Sequence, residues 1–251
     1  MNQIKQRFNL HDYKILSYSL YGKQKCPFVG IICEQEGNLY FFKKMLSENK
    51  TCKKIIKKEY ELLKSRYDKL LKPELVEGGI RTRYIPNPSL SYYLTQSSDK
   101  KIVDMAISWL VKFHNEKHKK GFGHIHGDFS FDDIIPLKKK MLVLDWEDYQ
   151  IHCEQLIDIY YLIFRIYMRR ADRVKHLSKF INSLTEDAPK MHPLLKKYIH
   201  LRKIEYTKER RMQALRLFLK NRIDRNKRLY TIPTEDNYIC RQILKLLPQN
   251  S

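Results

Sequence analysis

The stretch Gly123-His124-Ile125-His126-Gly127-Asp128-Phe129-Ser130-Phe131-Asp132-Asp133 runs into the apolar pair Ile134-Ile135, and a second apolar run, Val143-Leu144, ends in Asp145-Trp146-Glu147. A loop closing on an apolar pair, then a hairpin, then an apolar strand ending in Asp is expected to gather three carboxylates, Asp128, Asp133 and Asp145, around one cleft. Phosphoryl transfer needs that inventory. One carboxylate orients and deprotonates an accepting hydroxyl, and two oxygen ligands hold the magnesium that bridges the phosphates of ATP.

The elements that must position these residues follow from patterning. Tyr13 to Tyr21, Phe28 to Cys33 and Leu39 to Met45 are rich in aromatic and β-branched residues, with Gly22-Lys23-Gln24-Lys25 and Glu36-Gly37-Asn38 between them as hairpin turns. They predict a small antiparallel sheet. From Thr51 to Leu71, Ile56, Tyr60, Leu63, Tyr67 and Leu70 recur at a helical period, so one helix packs on that sheet. Val76 to Ile85 adds one or two strands, Pro86-Asn87-Pro88-Ser89 breaks the chain at an expected interlobe hinge, and Leu90 to Leu94 is helical. Lys101 to Glu116 forms a helix leading into the Gly123 loop, and after Asp145 the rest is helical: Gln155 to Arg169, Arg173 to Leu184, His192 to Lys220 with a break, and Tyr238 to Leu247. The expectation is a single α+β domain over residues 1–251, bilobed, with a sheet lobe (1–85) and a helical lobe (86–251).

Composition narrows the classes. The chain has 251 residues, 43% of them hydrophobic, with 17 Tyr and 11 Phe, which excludes disorder. The five cysteines, Cys26, Cys33, Cys52, Cys153 and Cys240, show no C-x-x-C pair and read as reduced thiols of a cytosolic protein. Met1 to Leu10 has no apolar signal-like core, and Arg165 interrupts the most apolar run, Ile159 to Met168, so a soluble or peripheral cytoplasmic protein is expected. A formal net charge of +21 predicts attraction to polyanions: nucleic acid, anionic lipid at the inner face of the membrane, or a phosphorylated glycan.

With these residues in view, the chain resembles the aminoglycoside phosphotransferase, choline kinase and lipopolysaccharide core kinase branch of the protein-kinase-like superfamily, over about residues 13 to 170. The branch carries a loop H-G-D-x-x-x-x-N and a metal motif D-x-[DE]. His126 to Asp133 matches the loop except at its last position, where Asp133 replaces Asn; Asp145-Trp146-Glu147 matches the metal motif, and Phe113-His114 stands where the preceding helix ends in Leu-His. The resemblance implies a two-lobed kinase fold binding ATP and Mg2+ (or Mn2+).

It also implies roles. Asp128 is the catalytic base, Asp145 and Asp133 are metal ligands, and His126 and Asp158 support the loop, the latter as a buried helix Asp beneath it. Tyr40-Phe41-Phe42-Lys43-Lys44-Met45 resembles the strand whose lysine contacts ATP phosphates; Lys43 is favoured, with Lys44 as the alternative. Glu59 on the following helix is the chosen ion-pair partner, and Glu61 the fallback. Tyr84-Ile85-Pro86 would hold adenine through backbone groups, with Phe41 or Phe42 against the ring. No G-x-G-x-x-G occurs in the first hairpin, as is common in this branch.

The acceptor is expected to be a small-molecule or glycan hydroxyl. His-Gly-Asp lacks the arginine that pairs with a phosphorylated activation segment, and only twelve residues separate Asp145 from Asp158, too few to dock a peptide. Between Lys196 and Arg228, 13 Lys or Arg face three acidic residues, which points to an anionic acceptor such as a lipopolysaccharide or capsule sugar. Two other readings stand beside this one: a pseudokinase, suggested by Asp133, and a nucleic-acid or membrane-surface binding protein, suggested by the basic helices.

Overall fold

The computed structural model describes residues 2–23, 26–87, 89, 100–116, 122–138, 140–169, 172–187, 189–229 and 234–247. The expected Leu90 to Leu94 helix lies outside them, as do residues 24 and 25 of the first hairpin turn. The chain divides into two compact units. The first holds Met1–Asn87, Leu144–Glu147 and Arg228–Thr231; the second holds Pro88–Val143, Asp148–Lys227 and Ile232–Ser251.

The first unit is built on an antiparallel five-stranded sheet. Strands β1 (Lys14–Lys23), β2 (Cys26–Gln35), β3 (Asn38–Met45), β4 (Glu74–Val76) and β5 (Gly79–Arg83) lie in the order β1-β2-β3-β5-β4. Alternation along the strands sends side chains to two faces. One face buries Leu10, Ile15, Val29, Ile31, Cys33 and Phe42 beneath the short helix α1 (Asn2–Arg7) and the chain after it. The other packs Cys26, Phe28, Met45 and Ile80 against Cys52 and Ile56 of α2 (Lys50–Leu71). Helix α2 starts where the Asn49 side chain accepts the amide of Cys52 at 2.9 Å, and it stops at Lys72, whose positive φ ends the helical path.

Cys26 and Cys52 are joined by a disulfide linking β2 to the first turn of α2, which corrects the expectation of five reduced thiols. Packing of helix on sheet brings together two residues 26 apart that share no sequence motif. Cysteine usage therefore gives no argument for a reducing compartment, and Cys33, Cys153 and Cys240 are the free thiols.

The second unit is mainly helical. It holds α3 (Lys100–Asn115), α4 (Leu156–Met168), α5 (Leu177–Thr185), α6 (Pro193–Arg202), most of α7 (Lys208–Leu229) and α8 (Glu235–Leu246). The expected break within His192 to Lys220 falls at Lys203, with φ 53°. Two small antiparallel pairs frame the loop: β6 (Phe122–Ile125) with β9 (Gln150–Glu154), and β7 (Ile134–Pro136) with β8 (Met141–Val143). Strand β9 departs from the all-helical expectation after Asp145, because its pairing partner lies some thirty residues upstream and its mostly exposed side chains carry no alternating pattern. Among the described residues no helix is long and apolar enough to cross a membrane.

Candidate functional site

In the first unit, β3 presents Lys43 and Lys44 on opposite faces, as strand periodicity requires. Lys43 Nζ lies 2.6 Å from Glu59 Oε2 on α2 and 3.3 Å from Asp145 Oδ1. Both Lys43 and Glu59 are buried, and the ammonium also sits 5.0 Å from the centroid of the Phe28 ring. Lys44 instead donates to the backbone carbonyl of Glu77, and burial pushes its pKa down. Glu61 is exposed. Packing thus separates the alternatives that the sequence left open: Glu59 and Lys43 meet.

Asp145 has φ +56°, a left-handed backbone that a non-glycine residue adopts at a cost of about 1–2 kcal/mol. Such an outlier persists only where its surroundings impose it, and here the carboxylate is directed at Lys43 with its side chain 38% exposed. Arg66 of α2 lies over the buried Trp146 ring at 5.1 Å, which fixes the segment immediately after Asp145. Phe41 shares the Lys43 face and is half-buried, whereas Phe42 is enclosed in the core of the opposite face; of the two, only Phe41 is placed beside Lys43. At the end of the unit, the Tyr84 amide donates to Leu39 O at 2.9 Å and Ile85 O accepts from the Asn87 amide at 2.8 Å.

In the second unit, Asp158 of α4 organises the loop. Its carboxylate accepts the backbone amides of His126 at 2.7 Å and Gly127 at 2.8 Å, and it lies 3.0 Å from His114 Nε2. The other nitrogen of His114 is 2.7 Å from the Tyr198 hydroxyl of α6. Asp158, His114 and Tyr198 are all fully buried, so this charge is compensated by directed donors in place of water. Burial also lowers the pKa of His114, against the pull of Asp158.

Gly127 has φ +95°, and a Cβ there would come within 2.2 Å of Asp148 O, so only glycine fits between His126 and Asp128. Asp128 is buried, with Oδ1 3.2 Å from His126 Nδ1 and Oδ2 3.0 Å from Arg225 Nη2. Burial alone would raise its pKa, but His126 and Arg225 hold it well below the usual carboxylate range. Burial likewise opposes charging of His126, yet the Asp128 carboxylate outweighs it and raises the imidazole to about 9.

The loop then turns through a short 3-10 helix, Phe131–Asp133, capped by Ser130, whose hydroxyl donates to Asp133 Oδ2 at 2.6 Å. Behind it Phe129 stacks on Trp109 of α3, with centroids 5.5 Å apart. His124 contacts the Tyr149 hydroxyl. Among the described residues no group of three or more His, Cys, Asp or Glu is arranged to hold a metal. Asp133 in the second unit and Asp145 in the first each carry a carboxylate, the hard oxygen donor that Mg2+ takes. The donor chemistry fits that ion.

Arg225, Asp148 and His114 are parts of these networks that the sequence did not mark as such. Arg225 is far from the loop in sequence and sits in a basic run where any of several side chains could face inward. His114 alone carried a signal, at the end of the helix before the loop.

No protein-family model matches the chain, and no curated protein sequence matches it. Solved structures do. An ethanolamine kinase of Plasmodium vivax is similar with a TM-score of 0.54 at 10% identity, over 92% of this chain and 82% of that one. A ternary complex of APH(2'')-IIa with streptomycin and ATP gives 0.52 at 11% identity, over 97% and 96%. Aminoglycoside phosphotransferase APH(2'')-Ib with ADP bound gives 0.50 at 12%, over 97% and 95%. These likenesses extend over nearly the whole chain, and the fold is protein-kinase-like, as in those kinases and phosphotransferases.

Proposed function

We propose that the protein is an ATP-dependent phosphotransferase that moves the γ-phosphate to a hydroxyl of a small-molecule or glycan acceptor. The observation that carries this reading is the buried Lys43–Glu59 ion pair with Asp145 beside it, since a lysine held by a helix glutamate next to a metal-binding carboxylate is the phosphate-handling arrangement of kinase-like folds. Lys43 contacts the ATP phosphates, and Asp133 and Asp145 hold Mg2+ or Mn2+. When bound, the metal neutralises charge on the phosphates.

Asp128 accepts a hydrogen bond from the acceptor hydroxyl and directs its oxygen. A carboxylate with so depressed a pKa is a weak base, which suits a loose transition state in which the proton leaves late and orientation matters more than basicity. The amide bonds to Asp158 and the pinned Gly127 keep Asp128 in place.

The acceptor is an anionic sugar, such as a component of lipopolysaccharide or capsule, and the protein works in the cytoplasm, with peripheral contact to an anionic membrane. The net charge of +21 supports this reading. Support from the Lys196–Arg228 run is narrower than its composition suggests. Lys197, Arg202, Arg210, Arg211, Arg222 and Arg225 are engaged by Asp104, Gln155, Glu154, Asp187, Asp236 and Asp128, so these six are already committed to partners within the protein.

The test is ADP formation from Mg-ATP with a panel of phosphorylated and carboxylated sugars alongside choline, ethanolamine and an aminoglycoside. Stimulation by an anionic sugar is expected. Turnover only with the cationic acceptors would overturn the acceptor class, and neither ATP binding nor turnover under any condition would overturn the enzyme reading.

A further inference from the structure

Helix α7 belongs to the basic carboxyl-terminal region, yet Arg225 points into the second unit. Its Nη2 lies 3.0 Å from Asp128 Oδ2, and the same nitrogen pairs with Asp148. The guanidinium is largely buried, with 16% of the side chain exposed. One turn earlier, Arg222 bonds Asp236 of α8 at 3.1 Å and lies over the Tyr161 ring of α4 at 4.8 Å. Helix α7 is therefore fixed in rotation by a neighbouring contact, and Arg225 is delivered to Asp128 from a braced element.

We propose that Arg225 is a positioning residue of the catalytic loop, bridging Asp128 and Asp148 so that Asp128 stays ionised and aimed at the acceptor. The inference rests on the reading of Asp128 as the acceptor-orienting carboxylate. Asp148 supplies the second half of the argument. Its carboxylate pairs with the same guanidinium nitrogen that holds Asp128, so the two carboxylates converge on one cation. Two carboxylates converging on one site repel each other and tend to share a proton unless a cation lies between them. Arg225 is that cation, and a guanidinium suits the role because it can donate to two carboxylates and never loses its charge.

The other groups facing Asp128 are His126 on the loop itself and Tyr161 on α4, while the charges of Asp158 and Asp133 act on His126. Of these only His126 is a cation, and it lies on the opposite carboxylate oxygen. With Arg225 removed, His126 alone would oppose the repulsion from Asp148. Asp128 would then protonate in a range where the wild-type residue is ionised, and a protonated carboxyl presents a donor where the acceptor hydroxyl needs an acceptor.

The experiment titrates the full-length protein. Carboxyl carbon resonances are followed by NMR against pH in wild type, Arg225→Gln and Arg225→Lys, with the Asp128 signal assigned by its loss in Asp128→Asn. In parallel, Mg-ATP hydrolysis, with water as the acceptor, is measured across the same range. Arg225→Gln should raise the Asp128 pKa by about one to three units and move the acid limb of the rate profile upward with it, and Arg225→Lys should recover at least part of both shifts. An Asp128 signal titrating as in wild type in folded Arg225→Gln would overturn the proposal. If the Gln variant does not fold, Arg225→Met takes its place: an Asp128 signal and an acid limb unchanged from wild type in that folded, uncharged variant would overturn the proposal. Absence of ATP turnover in wild type would remove the phosphotransferase reading, while the NMR titration would still decide whether Arg225 governs Asp128.

Discussion

Lys43 of β3 and Glu59 of α2 form a buried ion pair, Nζ to Oε2 2.6 Å, with the Asp145 carboxylate 3.3 Å from the same ammonium. The pair joins the sheet to the helix at the point where the phosphate-handling lysine is proposed to act. A charge taken out of water needs its partner, so the two residues are coupled in stability as well as in function.

Removing one member should cost more than removing both charges. Glu59→Ala leaves the buried Lys43 with the part-exposed Asp145 as its remaining carboxylate and should destabilise the protein by up to about 3–5 kcal/mol, while the double change Lys43→Met with Glu59→Leu should recover much of that loss. Chemical denaturation of the variants checks this. Lys43→Met should also weaken Mg-ATP binding by about tenfold or more, read by calorimetric titration.

Asp128 and Asp145 should separate kinetically. Asp128→Asn is expected to abolish transfer while Mg-ATP affinity stays within about threefold, because Asp128 is proposed to act on the acceptor. Asp145→Asn should instead weaken the metal-dependent part of ATP binding. Near-normal turnover in folded Asp128→Asn would remove the assignment, and superimposable Mg-ATP titrations would do the same for Asp145.

Asp133 stands where the branch that the sequence resembles carries Asn, and it separates the active-site reading from the degenerate one. If Asp133 ligates metal, Asp133→Ala should lose most of the rate, roughly 10²-fold. If its charge only repels phosphate, Asp133→Asn should raise a very low ATPase. The first outcome is expected, since a carboxylate is a competent ligand for a hard cation, and steady-state ATP turnover of the two variants decides between them.

Asp158→Ala should strike the loop from beneath. It would leave the amides of His126 and Gly127 and the imidazole of His114 without their acceptor in a fully buried site. Each hydrogen bond to a charged group is worth about 1.5–3 kcal/mol, so a loss of several kcal/mol is expected, seen as a fall in melting temperature and faster amide exchange at Gly127.

The His126–Asp128 contact makes stability depend on pH in both directions. His126 is raised from 6.5 to about 9, so its stabilisation is complete below pH 6.5 and is lost as pH climbs through about 9. Asp128 is depressed, so its contribution is present above its ordinary pKa of 3.8 and is lost as the pH falls below that toward its depressed folded value. Unfolding midpoints in urea should therefore decline between about pH 6.5 and 9, and Asp128→Asn should flatten that decline. An equal slope in the variant would show that another group is responsible.

Features written within a few neighbouring residues were legible before folding. Order and spacing from His126 to Asp145 carried the expectation of a loop, hairpin and strand because each of these is written within a few residues. Aromatic and β-branched residues with turn chemistry between them marked β1 to β3, and a helical period marked α2. Asp158 was legible through the resemblance, as the buried helix Asp beneath the loop.

Tertiary packing decided the rest. Lys43 and Lys44 are adjacent, and periodicity says only that they face opposite ways; which face meets Glu59 depends on where α2 docks. The Cys26–Cys52 disulfide, the pairing of β9 with β6, and the delivery of Arg225 to Asp128 across 97 residues are contacts between distant segments with no spacing signature. The basic run Lys196 to Arg228 shows the limit most directly. Composition counts its charges, but only the packed helices determine which of them meet a buried carboxylate and which meet solvent, because an ion pair depends on position in space and net charge does not record position.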